Sequence, residues 1–324
     1  MRGGGESCRK LQGITGILSA YLVNGDEMKR WIPILLCLAL AVLLVLHPGE
    51  AGDAVGEALR LCGGTVVPTL FPFLVLTAIL LRLGVDSMLR SLFVPIMQPL
   101  FRLRGECAVP LIAGLLGGYP TGARAAAQLY EQGTLTRWET ERLLGFCNNC
   151  SPGFLIGFVG AGIMGDAEVG IWLYGIHVVS ALLSGIILCR ASGKTEILAL
   201  PCRMPVAEVT LSRALTLSVS DALASILQIC AYVVFFRSAA ALLSGILPTQ
   251  LLGAVEMVGG LSALPRSAQG VVAAAGITAW GGVSVHCQTM GVTGDLSMGW
   301  YLTGKLLQTV ISVVLAAAVA GWVM

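Results

Sequence analysis

Two stretches decide how this chain folds: Cys147-Asn148-Asn149-Cys150-Ser151-Pro152-Gly153 and Gly281-Gly282-Val283-Ser284-Val285-His286-Cys287-Gln288. Each interrupts a long apolar segment, Leu143 to Gly165 in the first case and Ser267 to Gly294 in the second. Proline removes a backbone donor and glycine frees the backbone, so a helix entering either stretch breaks there. A break among apolar residues leaves N–H and C=O groups in hydrocarbon. Each costs several kcal/mol unless a side chain, a water or a ligand pairs it. The polar side chains at the same positions make these breaks candidate binding sites. The competing reading is that they only let helices pack closely.

The surrounding composition fixes the solvent. The chain is 324 residues long, 56% hydrophobic and 12% charged, with a mean hydropathy of +0.84. Soluble domains carry about 25% charged residues, so this chain cannot cover a water-facing surface, and its partner is the lipid bilayer. A net charge of +2, without a basic tract, points to no nucleic acid. Charge-free windows of spanning length begin with Trp31 to Pro48, read as an uncleaved anchor, and Leu61 to Leu81, which contains Pro68 and Pro72. Cys107 to Ala123, rich in glycine and broken by Pro110 and Pro120, is expected to be a re-entrant hairpin. Val169 to Cys189 is a clean span, a sixth covers Ala222 to Phe236 and starts nearer Leu215, and the last is roughly Met298 to Trp322. Residues 1–27 are expected to be poorly ordered, and Met28-Lys29-Arg30-Trp31 after them resembles the beginning of a membrane protein. Residues 28–324 then form one membrane domain.

Arg2, Arg9, Lys10, Lys29 and Arg30 favour a cytoplasmic N-terminus. Glu50, Asp53 and Glu57 then fall outside, Arg82, Arg90, Arg102 and Arg104 inside, Asp166 and Glu168 outside, and Arg190, Lys194, Arg203 and Arg213 inside. Thr136-Arg137-Trp138-Glu139 reads as a capping box that starts a helix.

The halves repeat one another, at about 61–190 and 215–324. Ala113-Gly114-Leu115-Leu116-Gly117-Gly118-Tyr119-Pro120 corresponds to Glu256-Met257-Val258-Gly259-Gly260-Leu261-Ser262, and each is followed by a broken apolar segment and a span. The second hairpin enters from the opposite side, so the repeats are inverted. The expected fold is an all-α, polytopic membrane helix bundle with inverted repeats, re-entrant hairpins and discontinuous helices. Paired interrupted segments in matching halves point to a transporter site.

The expected solute contacts are Tyr119, Thr121, Arg124, Asn148, Asn149 and Ser151 in the first half, and Glu256, Ser284, His286 and Gln288 in the second. Asparagine amides and serine hydroxyls bind a polar solute without a buried charge; equally, they cap helix ends. Glu256 among Leu, Val and Met needs a partner, either a solute group, a cation or proton, or an ion pair with Arg266 or Lys305. Arg124 suits an anion or a lipid phosphate. Lys305 and Gln308 share a helix face, with Lys305 snorkelling to the interface as the alternative. His177 reads as structural and Asp221 as a helix start. The ten cysteines read as packing residues. Cys147-Asn148-Asn149-Cys150 has no second pair to complete a zinc site, so neither metal nor cofactor is expected. With no Walker motif, Ser/His/Asp order or HExxH, the chain is not read as an enzyme.

Pro68-Thr69-Leu70-Phe71-Pro72-Phe73, Gly117-Gly118-Tyr119-Pro120-Thr121-Gly122-Ala123, Arg142-Leu143-Leu144-Gly145-Phe146-Cys147-Asn148-Asn149 and the Gly281 to Gln288 stretch, in that order, resemble the YlbJ-type sporulation integral membrane proteins, which carry the nucleoside-recognition Gate domain. The resemblance runs from about Met28 to the C-terminus and departs at Cys147 and Cys150. It implies an endospore-forming bacterium, a multi-pass cell-membrane location, including a membrane around the forespore, and a fold related to the hairpin core of concentrative nucleoside transporters. It further implies movement of dipicolinate, a small aromatic dianion that Arg124 and the Asn148-Asn149 pair would suit. A nucleoside-type transporter on the same scaffold, with Glu256 and Gln288 on ribose or base, remains open. So do a non-transporting scaffold or regulator of sporulation, and oligomerisation.

Overall fold

A computed structural model describes residues 25–83, 95–191, 193, 210–242 and 252–323. The leader before residue 25, most of the basic link after Ala191, and the end of the apolar stretch around Ser238 to Leu247 lie outside the described residues. The described elements are helical, with no strand among them. Four helices are long and apolar enough to cross a bilayer, or five if one sharply bent pair counts as a span. The chain is therefore an all-α polytopic membrane protein.

Helix α1 (Gly25–Leu46) meets α2 (Pro48–Leu61) at a bend of 98°. Pro48 at the head of α2 explains the junction, since its missing N–H is no loss in a first turn. A π-helical turn (Cys62–Val66) links α2 to α3 (Val67–Arg82). The acid-bearing stretch before Leu61 is thus a helix: Ala51, Ala54 and Ala58 form a buried stripe, while Glu50, Asp53 and Glu57 face outward.

The first hairpin has the arms α4 (Ala108–Gly117) and α5 (Thr121–Glu131), joined through a cis Tyr119–Pro120 bond. Its arms close on the end of α6 (Arg137–Cys147). A Cβ built on Gly114 would stand 1.7 Å from the Cys147 carbonyl oxygen, and one on Gly122 would stand 2.0 Å from it. Only glycine permits that approach. The capping box forms as expected: the Glu139 N–H donates to Thr136 Oγ1, and the Glu139 carboxylate accepts from the Thr136 N–H. Arg104 completes it with two bonds to Glu139, of 2.7 and 2.8 Å, and a third to the Thr134 carbonyl. Burial pushes the Glu139 carboxyl up, but the hydrogen bonds from Arg104 and Thr136 outweigh it and hold the group below its usual range.

After a break at residues 148–152 comes a π-helix (Gly153–Met164), then α7 (Ala167–Ala191). Helix α8 (Leu211–Leu242) packs along α2 and α3, longer at both ends than the sequence suggested. Asp221 therefore lies inside α8, ion-paired with Arg82, and is not a helix start. The second hairpin has the short helices α9 (Leu252–Val255) and α10 (Met257–Ser262), which meet at Glu256. It leads into α11 (Ala268–Trp280) and α12 (Gly282–Thr293), separated where Gly281 and Gly282 take φ of 87° and 77°. Helix α13 (Gly299–Val323) packs against α6, α7 and α11.

Candidate functional site

The four interruptions read from the sequence converge. Gly117, Gly118 and Tyr119 of the first hairpin, Cys150 and Ser151 of the first break, Glu256 and Met257 of the second hairpin, and Ser284 and Gln288 past the second break line one cavity of about 50 Å³. Leu70 and Leu74 of α3 and Tyr232 of α8 close its remaining side. Small-molecule sites run to about 300–1,000 Å³, so this cavity is narrower than a bound solute requires. Five of the ten expected solute residues lie on it: Tyr119, Ser151, Glu256, Ser284 and Gln288.

Each of these has a local cause. Ser151 Oγ accepts the Phe154 N–H and starts the π-helix. Glu256 caps α10, its carboxylate accepting the Val258 N–H at 2.8 Å and the Gly259 N–H at 2.5 Å. No ion pair with Arg266 or Lys305 forms: Arg266 donates to the Ile163 carbonyl, and Lys305 lies elsewhere. Tyr119 donates to the Thr278 carbonyl at 3.1 Å.

Behind this wall lies a buried polar cluster, which holds Asn148, Asn149 and His286. Asn148 Nδ2 donates to Thr289 Oγ1 at 2.8 Å, and Thr289 passes its own proton to the Val285 carbonyl. The Tyr301 hydroxyl lies 2.9 Å from His286 Nδ1 and 3.3 Å from Thr289 Oγ1. Asn149 Nδ2 caps the end of α6 at the Phe146 carbonyl, while Asn149 Oδ1 accepts from Gln308 Nε2 at 3.2 Å. Asn149 thus combines the capping and site readings. His177 Nε2 accepts the Cys150 N–H at 3.1 Å, which puts the proton of a neutral ring on Nδ1. Three polar atoms of the cluster, Asn148 Oδ1, His177 Nδ1 and His286 Nε2, are buried without a hydrogen-bond partner.

Lys305, Gln308, Thr289 and Tyr301 are cluster members beyond the solute contacts expected from the sequence. Lys305 does not snorkel: it is fully buried, donating to Gln308 Oε1 at 2.8 Å and to the Tyr119 hydroxyl at 3.1 Å. The i, i+3 pair Lys305 and Gln308 in an otherwise apolar span was the available signal.

Thr121 and Arg124 are not brought to the central cavity. They line a separate vestibule of about 500 Å³ with Arg82, Gln128 and Asp221, which meets the central cavity at Leu74 and Gly117. A third cavity, of about 190 Å³, is lined by Glu57, Arg237 and Gly259, and shares Glu256 with the central one. Each outer cavity has an ion pair to α8: Arg82 with Asp221, and Arg237 with Glu57 at 3.0 Å.

Comparison with known proteins gives two matches. Residues 64–236, more than half of the chain, match the Gate family, described as nucleoside recognition. The chain is 32% identical over 159 residues to the sporulation integral membrane protein YlbJ of Bacillus subtilis (strain 168). That alignment takes in 49% of this chain and 39% of the relative, so the match spans well under half of the relative's length. No solved structure matches the chain. The apolar spans, the broken helices and the family match agree, and the chain is a multi-pass membrane protein that belongs to the nucleoside-recognition Gate family.

Proposed function

We propose that this protein is a sporulation-linked transporter that carries a small anionic solute, with dipicolinate favoured, by alternating access through the central cavity. The observation that carries the reading is the row of three cavities. A small chamber lined by both hairpins shares residues with a vestibule of about 500 Å³ on one side and with a pocket of about 190 Å³ on the other. A chamber that opens to one neighbour or the other is what alternating access requires. The sporulation setting is taken from the name of the relative.

In this reading residues 28–324 work as one membrane domain of two inverted repeats, and the N-terminus is cytoplasmic. The Arg82 and Arg124 vestibule then opens to the cytoplasm and the Glu57 pocket to the far side. With Arg82 balanced by Asp221, Arg124 leaves the larger vestibule with net positive charge that attracts an anion.

Uptake of dipicolinate and of uridine into vesicles containing the purified protein tests this. The expected result is dipicolinate uptake, abolished by Asn148→Ala and by Glu256→Gln in protein that still inserts. Preference for uridine would replace the solute with a nucleoside. Uptake of neither would return the protein to the scaffold reading.

A further inference from the structure

The chain has four lysines; Lys10, Lys29 and Lys194 flank the spans, and Lys305 alone lies within one. Its side chain is fully buried. The ammonium bonds two neutral groups, Gln308 Oε1 at 2.8 Å and the Tyr119 hydroxyl at 3.1 Å, and lies 5.0 Å from the Tyr119 ring centre. Among the described residues, no carboxylate stands within 4 Å of it. The ionisable groups around it are the Cys147 and Cys150 thiols of the break, His177 of α7, His286 of α12 and Tyr119. None of these supplies a negative charge in its ordinary neutral form.

An ammonium in an apolar bundle without a counter-ion is costly, and an anion relieves that cost. Tyr119 links this ammonium to the central cavity, since it lines the cavity and its hydroxyl bonds the ammonium. A second observation also points to an acceptor: His177 Nδ1, the protonated nitrogen of the neutral ring, lies buried and unpaired in the same cluster.

We propose that Lys305 is the anion anchor of the transport site, and that a carboxylate of the solute replaces the Tyr119 hydroxyl on its ammonium. This rests on the transport reading above and names the residue that selects charge. Arg124, in its outer vestibule, then attracts the solute without holding it.

The test is thermal stabilisation of the purified full chain by pyridine-2,6-dicarboxylate and by its neutral dicarboxamide, run beside vesicle uptake. Only the dicarboxylate should stabilise the protein. Lys305→Gln should raise the concentration for half-effect about tenfold or more. Tyr119→Phe keeps the ammonium and removes the competing hydroxyl, so it should lower that concentration several-fold; it decides the matter if Lys305→Gln does not fold. Equal half-effects in wild type and variants would overturn the anchor and leave transport standing. Lys305-dependent binding without uptake would overturn transport and leave the anchor. A protein that the dicarboxylate never stabilises would overturn the anchor outright.

Discussion

Asn148 donates to Thr289 at 2.8 Å, a bond between residues 141 apart that fastens the first break to the helix after the second. Both side chains are fully buried, so removing one leaves the other unsatisfied. Asn148→Ala and Thr289→Val should each cost about 1–3 kcal/mol. Their double variant should fall short of the sum by about 0.5 kcal/mol or more. Chemical unfolding of the four proteins in detergent measures this, and strict additivity would mean that the bond carries no coupling between the halves.

Gly114 and Gly122 make a sharper claim about the first hairpin. Any side chain on either must displace the Cys147 carbonyl, which is backbone and cannot rotate away. Gly114→Ala should destabilise by about 3 kcal/mol or prevent folding. Gly157→Ala is the control, because nothing lies within 4 Å of a Cβ there and its φ is ordinary. Comparing the yield and melting of the two variants in detergent separates steric exclusion from a general intolerance of change.

Much of this arrangement was legible in the residues, and the exceptions have a common cause. Proline, glycine and caps act locally, so Tyr119-Pro120, Gly281-Gly282 and the Thr136 box marked the hairpin, the second break and a helix start without tertiary information. Helix α2 was missed because its three acids dominate a hydropathy profile. The signal lay in Ala51, Ala54 and Ala58, whose i, i+3, i+7 spacing makes a stripe for α8. The pairing of Lys305 with Gln308 was legible, but the choice between it and snorkelling was not, because a sequence gives neither the depth of a residue in a bundle nor the side its helix turns inward. Tyr119, its partner, lies 186 residues away. Thr121 and Arg124 follow the hairpin tip closely in sequence, but α5 carries them away from the chamber.

The Arg104–Glu139 pair predicts an acid-side loss of stability. The folded carboxyl titrates below its ordinary value of 4.5. Its contribution is therefore complete above that value and fades as pH falls through the lower, folded one. Wild-type melting should drop more steeply below about pH 4.5 than that of Glu139→Gln, which has no proton to take up. Parallel curves from pH 3 to 7 would show that the pair does not feel its surroundings this way.

The two ion pairs on α8 should act on access more than on stability. Asp221 and Arg237 stand about 24 Å apart along the helix, in its N-terminal and C-terminal halves. Their partners Arg82 and Glu57 belong to different elements. Partly exposed pairs of this kind contribute about 0.2–1 kcal/mol, enough to shift a two-state balance up to about fivefold. Asp221→Asn should favour opening of the Arg124 vestibule and Glu57→Gln opening of the opposite pocket. Reagent labelling of single cysteines placed at Gln128 and at Ala241 would read the two openings. Variants that change both sites in the same direction would rule out opposed gates.

Between those pairs, Cys62 of the π-turn and Cys230 of α8 are neighbours where the two elements pack. No disulfide joins them, and both stand as free cysteines. Two copper(II)-phenanthroline complexes each accept one electron from such a pair, the two thiols lose their protons to solvent, and an S–S bond closes. That bond would fix α8 to the α2–α3 rod at its middle, where movement between the two vestibules must pass if α8 is the gate. Oxidation should therefore stop solute uptake and a reductant should restore it, while Cys230→Ala should keep transporting under oxidant. Mass spectrometry of the linked peptide identifies the pair among the ten cysteines. A confirmed Cys62–Cys230 link with undiminished uptake would mean that α8 and α2–α3 move as one body, and the gate would have to be sought in the hairpins.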